Sequence, residues 1–290
     1  MEPRRGSAAA LDSWCPDDAL VDEVLAELSV SRPLAPDLPA LASIYKAWCR
    51  RVPSDNTLKR IHLASDSSDP LPAATSRQVL ETFLETGTGG TCWGTSMGLY
   101  GLLEALGFRT SVGAGPMLGV TPPGAGPAHG CVLVEVDGQL FDIDGYVLCD
   151  DPLPLDPSKP TRSGTGVLAA EATPVDGTWQ VRFRTGHSER RLTYRIDVRS
   201  DDPGLCTERW EASRHRSALN HLFVIRRNTA DGGVITYARG KLHRLSPDGM
   251  LGFTMVDTDD RDRLLTDEFG LAPHIIGQIP PDEPDAKDIP

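Results

Sequence analysis

The sequence predicts an α+β protein in which helices come first and antiparallel strands follow. Three observations predict it. Apolar residues recur at helical spacing up to about residue 107; from Thr110 the pattern switches to short two-residue alternation broken by Gly and Pro, as far as about Val198; and a last unit near Glu211 mixes the two. A chain of 290 residues can bury a core and carry further layers, so two or three sub-domains are expected. The reading divides it into a helical region 18–107, a β-rich region 108–210 and a mixed region 211–279. The Pro- and charge-rich ends, 1–17 and 280–290, are expected to be mobile.

Between Asp17 and Val52, Leu20, Val24, Leu25 and Leu28, then Leu41, Ile44, Tyr45 and Trp48, mark helices of an N-terminal bundle. LASDSSDPLPAATS reads as a polar loop. SRQVLETFLETG reads as a helix capped by Ser76 and ended by Gly87. A glycine turn, GTGG, then leads into a helix whose Leu99, Leu102, Leu103 and Leu106 form one apolar face, with Gly107 as its stop. Among the strands, LDPSKPTRSGTG reads as an exposed loop. The last unit consists of HLFVIRR, a turn at TADGG, VITYARGKLHRL, and a helix DRDRLLTDEF ended by Gly270. The 24 Pro and 28 Gly exclude a coiled coil, and no internal repeat is present.

Composition removes several function classes. A net charge of −12 without a Lys/Arg patch argues against nucleic acid as a partner, because such binding draws on counterion release by basic clusters. No apolar run is long enough to cross a bilayer, and the N-terminus lacks the apolar stretch of a secretory signal. A cytoplasmic protein without a membrane partner is therefore expected. The six cysteines show neither a C-x-x-C pair nor zinc spacing, so thiols rather than disulfides, and no metal, are expected. Cys15, Cys49, Cys131, Cys149 and Cys206 read as small buried hydrophobes.

Cys92 is different. It follows the glycine turn and sits at a helix N-terminus, where the dipole and unpaired N–H groups favour the attacking thiolate. The glycines, Gly90 among them, let a substrate approach the backbone. Downstream, Asp137-Gly138 between alternating runs signals a two-residue hairpin turn. Val136 then pairs with Gln139, Val134 with Phe141 and Val132 with Ile143, which defines a buried face; the polar residues share the other. There Cys131 lies opposite Asp144, and His129 is its diagonal neighbour at roughly 7–8 Å between backbones. Asp142 pairs with Leu133, farther along. The register selects Asp144 as the carboxylate that fixes the His129 tautomer and stabilises the imidazolium formed when His129 takes a proton from Cys92. Singly, each residue has an ordinary reading: a buried thiol, a surface strand residue, part of a loop. Together they form a constellation with a mechanism.

At these residues the chain resembles the arylamine N-acetyltransferases. The family's R-G-G-x-C-[FY]-E-x-N motif is similar to Thr88-Gly-Gly-Thr-Cys92-Trp-Gly94-Thr-Ser here, and His129, Asp137-Gly138 and Asp144-Gly145-Tyr146 fall in the family's order and spacing. Pro53-Ser54-Asp55-Asn56 resembles its P-F-E-N, and LLTDEFGL its closing helix. The resemblance implies a helical first domain, a β-barrel second domain and an α/β lid. It implies no bound cofactor and ping-pong acyl transfer through Cys92, from acetyl-CoA or another acyl thioester to an arylamine- or hydrazine-like small-molecule amine. Trp93, Gly90 and Tyr146 are candidate substrate-binding residues beside the Cys92, His129 and Asp144 triad.

Where the family has Arg and Glu, this chain has Thr88 and Gly94, so an ion-pair framework behind the nucleophile is missing or supplied by other residues. Asp150 and Asp151 would repel a pyrophosphate that they faced. Three other readings stay open: an amide synthase taking its acyl group from an acyl carrier protein, a transglutaminase-like or papain-like thiol hydrolase, and a binding module that has lost activity. His221 and His243 have no visible partner and read as structural or surface residues.

Overall fold

The computed structural model describes residues 14–122 and 124–284. Helix α1 (Asp18–Glu27) starts at Asp17, whose side chain accepts the Leu20 N–H, and α2 (Leu38–Arg51) starts at Asp37, which accepts that of Ala40. Both bury the apolar stripes read from the sequence, with Leu41, Ile44, Tyr45 and Trp48 inside. A two-residue strand β1 (Ser54–Asp55) and α3 (Thr57–Ala64) follow. Helix α4 (Ser76–Thr86) is capped by Thr75, one residue before the expected Ser76, which is itself buried; it ends at Gly87 in the left-handed region, φ 75°. Helix α5 (Cys92–Ala105) is buried all round rather than along one apolar face, because α1, α4, strands of the next sheet and a later helix pack about it.

Three antiparallel sheets carry the rest. The first, in the order β10-β2-β3-β4-β5, contains β2 (Arg109–Gly115), β3 (His129–Val136), β4 (Gln139–Ile143), β5 (Leu153–Leu155) and β10 (Val198–Ser200). The β3–β4 register is the expected one: Val136 pairs with Gln139, Val134 with Phe141, Leu133 with Asp142 and Val132 with Ile143. The polar face of this hairpin is not exposed either. Almost all of β3 is buried, because α5 packs against it and the second sheet supplies a cover for the face bearing His129.

The second sheet runs β6 (Thr161–Ser163), β7 (Ala170–Val175), β8 (Thr178–Arg184), β9 (Arg191–Ile196). Its first strand falls inside the stretch expected to be a loop. The two sheets meet along a seam where Leu118 N–H donates to Thr193 O (2.7 Å) and Arg195 N–H to Pro116 O (3.1 Å). Among the described residues none of the sheets closes into the expected barrel.

The third sheet, β1-β11-β12-β13-β14, takes its edge strand from the N-terminal region, so Ser54 pairs with Arg226 across more than half the chain. It contains β11 (Val224–Asn228), β12 (Val234–Ala238), β13 (Lys241–Leu245) and an unforeseen β14 (Leu251–Met255). Helices α7 (Thr258–Phe269) and α8 (Pro273–Ile276) pack beside it, α7 ending at the left-handed Gly270. Helix α6 (Gly204–Ala212) follows β10 of the first sheet and packs against α5, starting several residues before the expected unit near Glu211. Of the ends expected to be mobile, 1–13 and 285–290 lie outside the described residues. Trp14 packs edge-on against Tyr100, and Asp282 pairs with the buried Arg60.

Candidate active site

Cys92 is the first residue of α5. The cap residue Thr91 makes no side-chain cap hydrogen bond, so the first-turn N–H groups face outward without one. The turn before it is pinned from behind by Asp55, whose Oδ2 accepts the N–H groups of Gly89 (2.8 Å) and Gly90 (3.1 Å), while Oδ1 accepts that of Thr57 (2.8 Å). Gly90 adopts φ 89°, and a Cβ there would lie 3.1 Å from Gly94 Cα. Among the described residues no ion pair serves this turn. Thr88 bonds Thr86 through its hydroxyl (2.8 Å), and Asp55 supplies the framework by accepting backbone donors.

His129 opens β3, and Asp144 follows the last residue of β4. Both are 2% exposed, and His129 Nε2 lies 2.6 Å from Asp144 Oδ2. Asp144 Oδ1 accepts the N–H groups of Tyr146 (2.8 Å) and Val147 (3.2 Å), so the carboxylate is fixed by its own turn. Burial alone would pull the His129 pKa down; the charge and hydrogen bond of Asp144, with hydrogen bonding to Cys92, outweigh it and lift it to about 10. Since Nε2 is taken by Asp144, Nδ1 is the nitrogen left for Cys92. His129 and Asp144 stand as the diagonal of the hairpin register places them, and Cys92 lies with His129 on one cavity.

Tyr45 on α2 was legible only as a core residue, yet it clamps the site: its hydroxyl donates to Asp144 O (2.7 Å) and accepts Asp144 N–H (3.2 Å). Asn56 and Lys59, close behind Asp55, reach the opposite wall. Asn56 Nδ2 donates to Leu219 O (2.6 Å) and Leu222 O (2.7 Å), and Lys59 Nζ to Ser213 O (3.1 Å) and Oγ (2.7 Å). Lys59 lies over the Trp210 ring, and burial lowers its pKa to about 7. One short stretch, Asp55 to Lys59, therefore holds both the nucleophile turn and a wall of the cavity in front of it. The Pro53-Ser54-Asp55-Asn56 motif was the available signal for the first two.

That cavity, about 680 Å³, is lined by Cys92, Trp93, His129, Tyr146, the loop from Met117 to Ala128, and the segment from Arg209 to Leu219. Trp93 also packs on Gly130, where a Cβ would come within 2.3 Å of the indole. Tyr146 meets the His129 ring edge-on at 5.4 Å and is covered on its other side by the Arg226 guanidinium, 3.8 Å from its centroid. Gly90 lines a small hollow behind the nucleophile turn instead, with Asp55, Lys59 and Trp210. Asp150 and Asp151 do not line the large cavity. Asp150 is buried elsewhere, with its carboxyl pushed up to about 6, first by burial and then by Asp151; Arg209, His215 and Arg216 stand at the cavity instead.

His221 bonds Glu283 (2.9 Å), a partner the sequence did not reveal, and His243 faces Phe253 and His187. The cysteines form no disulfide; Cys15 is half-buried and the others are buried. Among the described residues no His/Cys/Asp/Glu group is arranged to hold a metal ion, and no helix is long and apolar enough to cross a membrane.

The family model of the N-acetyltransferases matches residues 37–275. No curated protein sequence matches the chain. Among solved structures the fold is similar to the arylamine N-acetyltransferase of Salmonella typhimurium, at 18% identity and TM-score 0.72 over 91% of this chain and 98% of that one. It is similar to that of Mycobacterium marinum in complex with CoA, at 14% identity and TM-score 0.73 over 90% and 94%. A Bacillus cereus arylamine N-acetyltransferase described as having a unique Cys-His-Glu catalytic triad gives 16% identity and TM-score 0.65 over 89% and 100%.

Proposed function

The chain belongs to the arylamine N-acetyltransferase family, a family of enzymes, and from that premise we propose that it moves an acetyl group from acetyl-CoA to an aromatic or hydrazine-like amine through an acyl-enzyme on Cys92. The observation that carries the reading is the buried 2.6 Å His129–Asp144 pair beside a cysteine at a helix N-terminus, on the wall of a cavity of about 680 Å³.

His129 takes the Cys92 proton, and Asp144 stabilises the resulting imidazolium. The sulfur attacks the thioester carbonyl, and the oxyanion meets the first-turn N–H groups of α5. The imidazolium returns its proton to the departing coenzyme thiol, leaving the acetyl group on Cys92. The amine then attacks this thioester, His129 accepts its proton, and collapse releases the amide and the free thiol. Trp93 and Tyr146 form the apolar walls beside the reacting sulfur. Arg209 and Arg216 offer positive charge, and His215 a ring N–H, to the phosphates of the donor, in agreement with the CoA held by the Mycobacterium marinum enzyme. The region 211–279 serves as the lid, its segment 213–219 closing one side of the cavity.

Steady-state kinetics with acetyl-CoA and a panel of anilines and hydrazines test this. Parallel double-reciprocal lines, and loss of N-acetyl product in C92A, are expected. Hydrolysis of peptides or isopeptides without acetyl transfer would overturn the proposal.

A further inference from the structure

Asp142 lies two residues before Asp144 on the same side of the hairpin and is 3% exposed. It meets the facing sheet. The Tyr194 hydroxyl, from β9, donates to Asp142 Oδ2, and the Tyr194 ring packs on the His129 ring with centroids 4.4 Å apart. Phe183 closes in edge-on behind Tyr194 at 6.2 Å. The two carboxyls divide the donors unequally. Asp144 receives His129 and two backbone N–H groups, whereas Asp142 receives the tyrosine and the weakly donating Cys131 thiol, and its Oδ1 is buried with no hydrogen-bond partner among the described residues.

A bare carboxylate oxygen in the interior is costly, and a second negative charge beside Asp144 costs more, so both favour the protonated form of Asp142. This rests on the catalytic role given above to Cys92, His129 and Asp144. We propose that Asp142 and Tyr194 are positioning residues: the neutral Asp142 carboxyl anchors the Tyr194 hydroxyl, and the Tyr194 ring props the His129 imidazole in the orientation that serves both Asp144 and Cys92.

The titratable groups around Asp142 are His129 and Cys131 on β3, Asp144, Tyr194 on β9, Tyr45 on α2, and Cys149 in the loop after β4. Burial first, then Asp144, raise its pKa; the Tyr194 and Cys131 hydrogen bonds and the His129 charge oppose this and do not prevail. Cys131 is buried and its thiol is pushed up in turn, so it adds no charge. Asparagine reproduces the neutral form, with a carbonyl that still accepts the tyrosine proton.

The test is the pH profile of Cys92 alkylation by iodoacetamide, read by mass, with kcat and KM for acetyl transfer, in D142N, D142A and Y194F. D142N is expected to stay within about twofold of wild type. Y194F and D142A are expected to lose about tenfold in alkylation rate and in kcat, with a displaced pH profile and little change in KM. Equal damage in D142N and D142A would overturn the inference, since charge and not a neutral anchor would then be needed. Folded D142A and Y194F with wild-type profiles would overturn it as well. Should D142A fail to fold, Y194F against D142N decides. Wild-type alkylation that does not single out Cys92 would overturn the triad reading, and this inference with it.

Discussion

His129 Nε2 and Asp144 Oδ2 stand 2.6 Å apart in a site closed to solvent, although the residues that carry them are diagonal neighbours on a hairpin and not directly paired. The diagonal brings imidazole and carboxylate together side-on, and the turn after β4 fixes the carboxylate through the Tyr146 and Val147 N–H groups. Replacing Asp144 by Asn keeps the shape but offers a donor where an acceptor is required. Acetyl transfer is expected to fall roughly a thousandfold or more with the fold intact by circular dichroism. A D144N enzyme within tenfold of wild type would remove Asp144 from the mechanism.

The raised pKa of His129 has a thermodynamic counterpart. Its folded-state value, about 10, exceeds the ordinary 6.5, so the stability it contributes is complete below about pH 6.5 and is lost as pH climbs toward 10. The melting temperature of wild type is expected to drop across that window more than that of H129Q. Equal slopes for the two proteins would show that the imidazolium is not held as described.

Tyr45 grips both the N–H and the C=O of Asp144 from α2. Y45F removes this grip and leaves the buried Asp144 N–H unpaired, while the Asp144 C=O keeps the Leu148 N–H (3.1 Å). A loss on the order of 1–3 kcal/mol is expected in denaturant melts, together with a lower kcat. Unchanged stability would mean that the clamp is dispensable.

Asp55 holds the nucleophile turn by accepting three backbone N–H groups. An Asn there turns one acceptor oxygen into a donor facing a donor. D55N is expected to cost on the order of 1–3 kcal/mol and to slow acylation of Cys92. Measured stability and acylation equal to wild type would leave the glycine turn self-supporting.

Gly130 gives the Trp93 indole its place, since a Cβ would sit 2.3 Å from the ring. G130A is expected to destabilise by about 1–3 kcal/mol and to raise KM for the amine as Trp93 is displaced into the cavity. Thermal melts and amine titrations read the two effects, and an unaltered KM would separate Trp93 from the acceptor site.

Much of this site was legible locally. The Asp137-Gly138 turn set the register that singles out Asp144, and GTGG marked the helix start at Cys92, because both depend on backbone conformations that few residues adopt. What escaped the sequence lies between elements. The Tyr194 ring reaches His129 from another sheet, Tyr45 from a helix about a hundred residues away, and Lys59 joins a wall built from residues near 213. Alternation in RLTYRI places Tyr194 on a buried face without naming what that face meets. The cover over the hairpin's polar face comes, in the same way, from sequence far away. The seam between the first two sheets, where Leu118 and Pro116 meet Thr193 and Arg195, likewise joins residues too far apart for local patterning to pair.

The central claim is an acyl group carried on Cys92, and intact-mass analysis of the protein after exposure to acetyl-CoA without amine tests it most directly. A single acetyl adduct is predicted, mapping to Cys92 by peptide analysis, absent from C92A and discharged on adding an arylamine. A wild-type protein that stays unmodified with acetyl-CoA, or one whose adduct persists in C92A, would contradict the account.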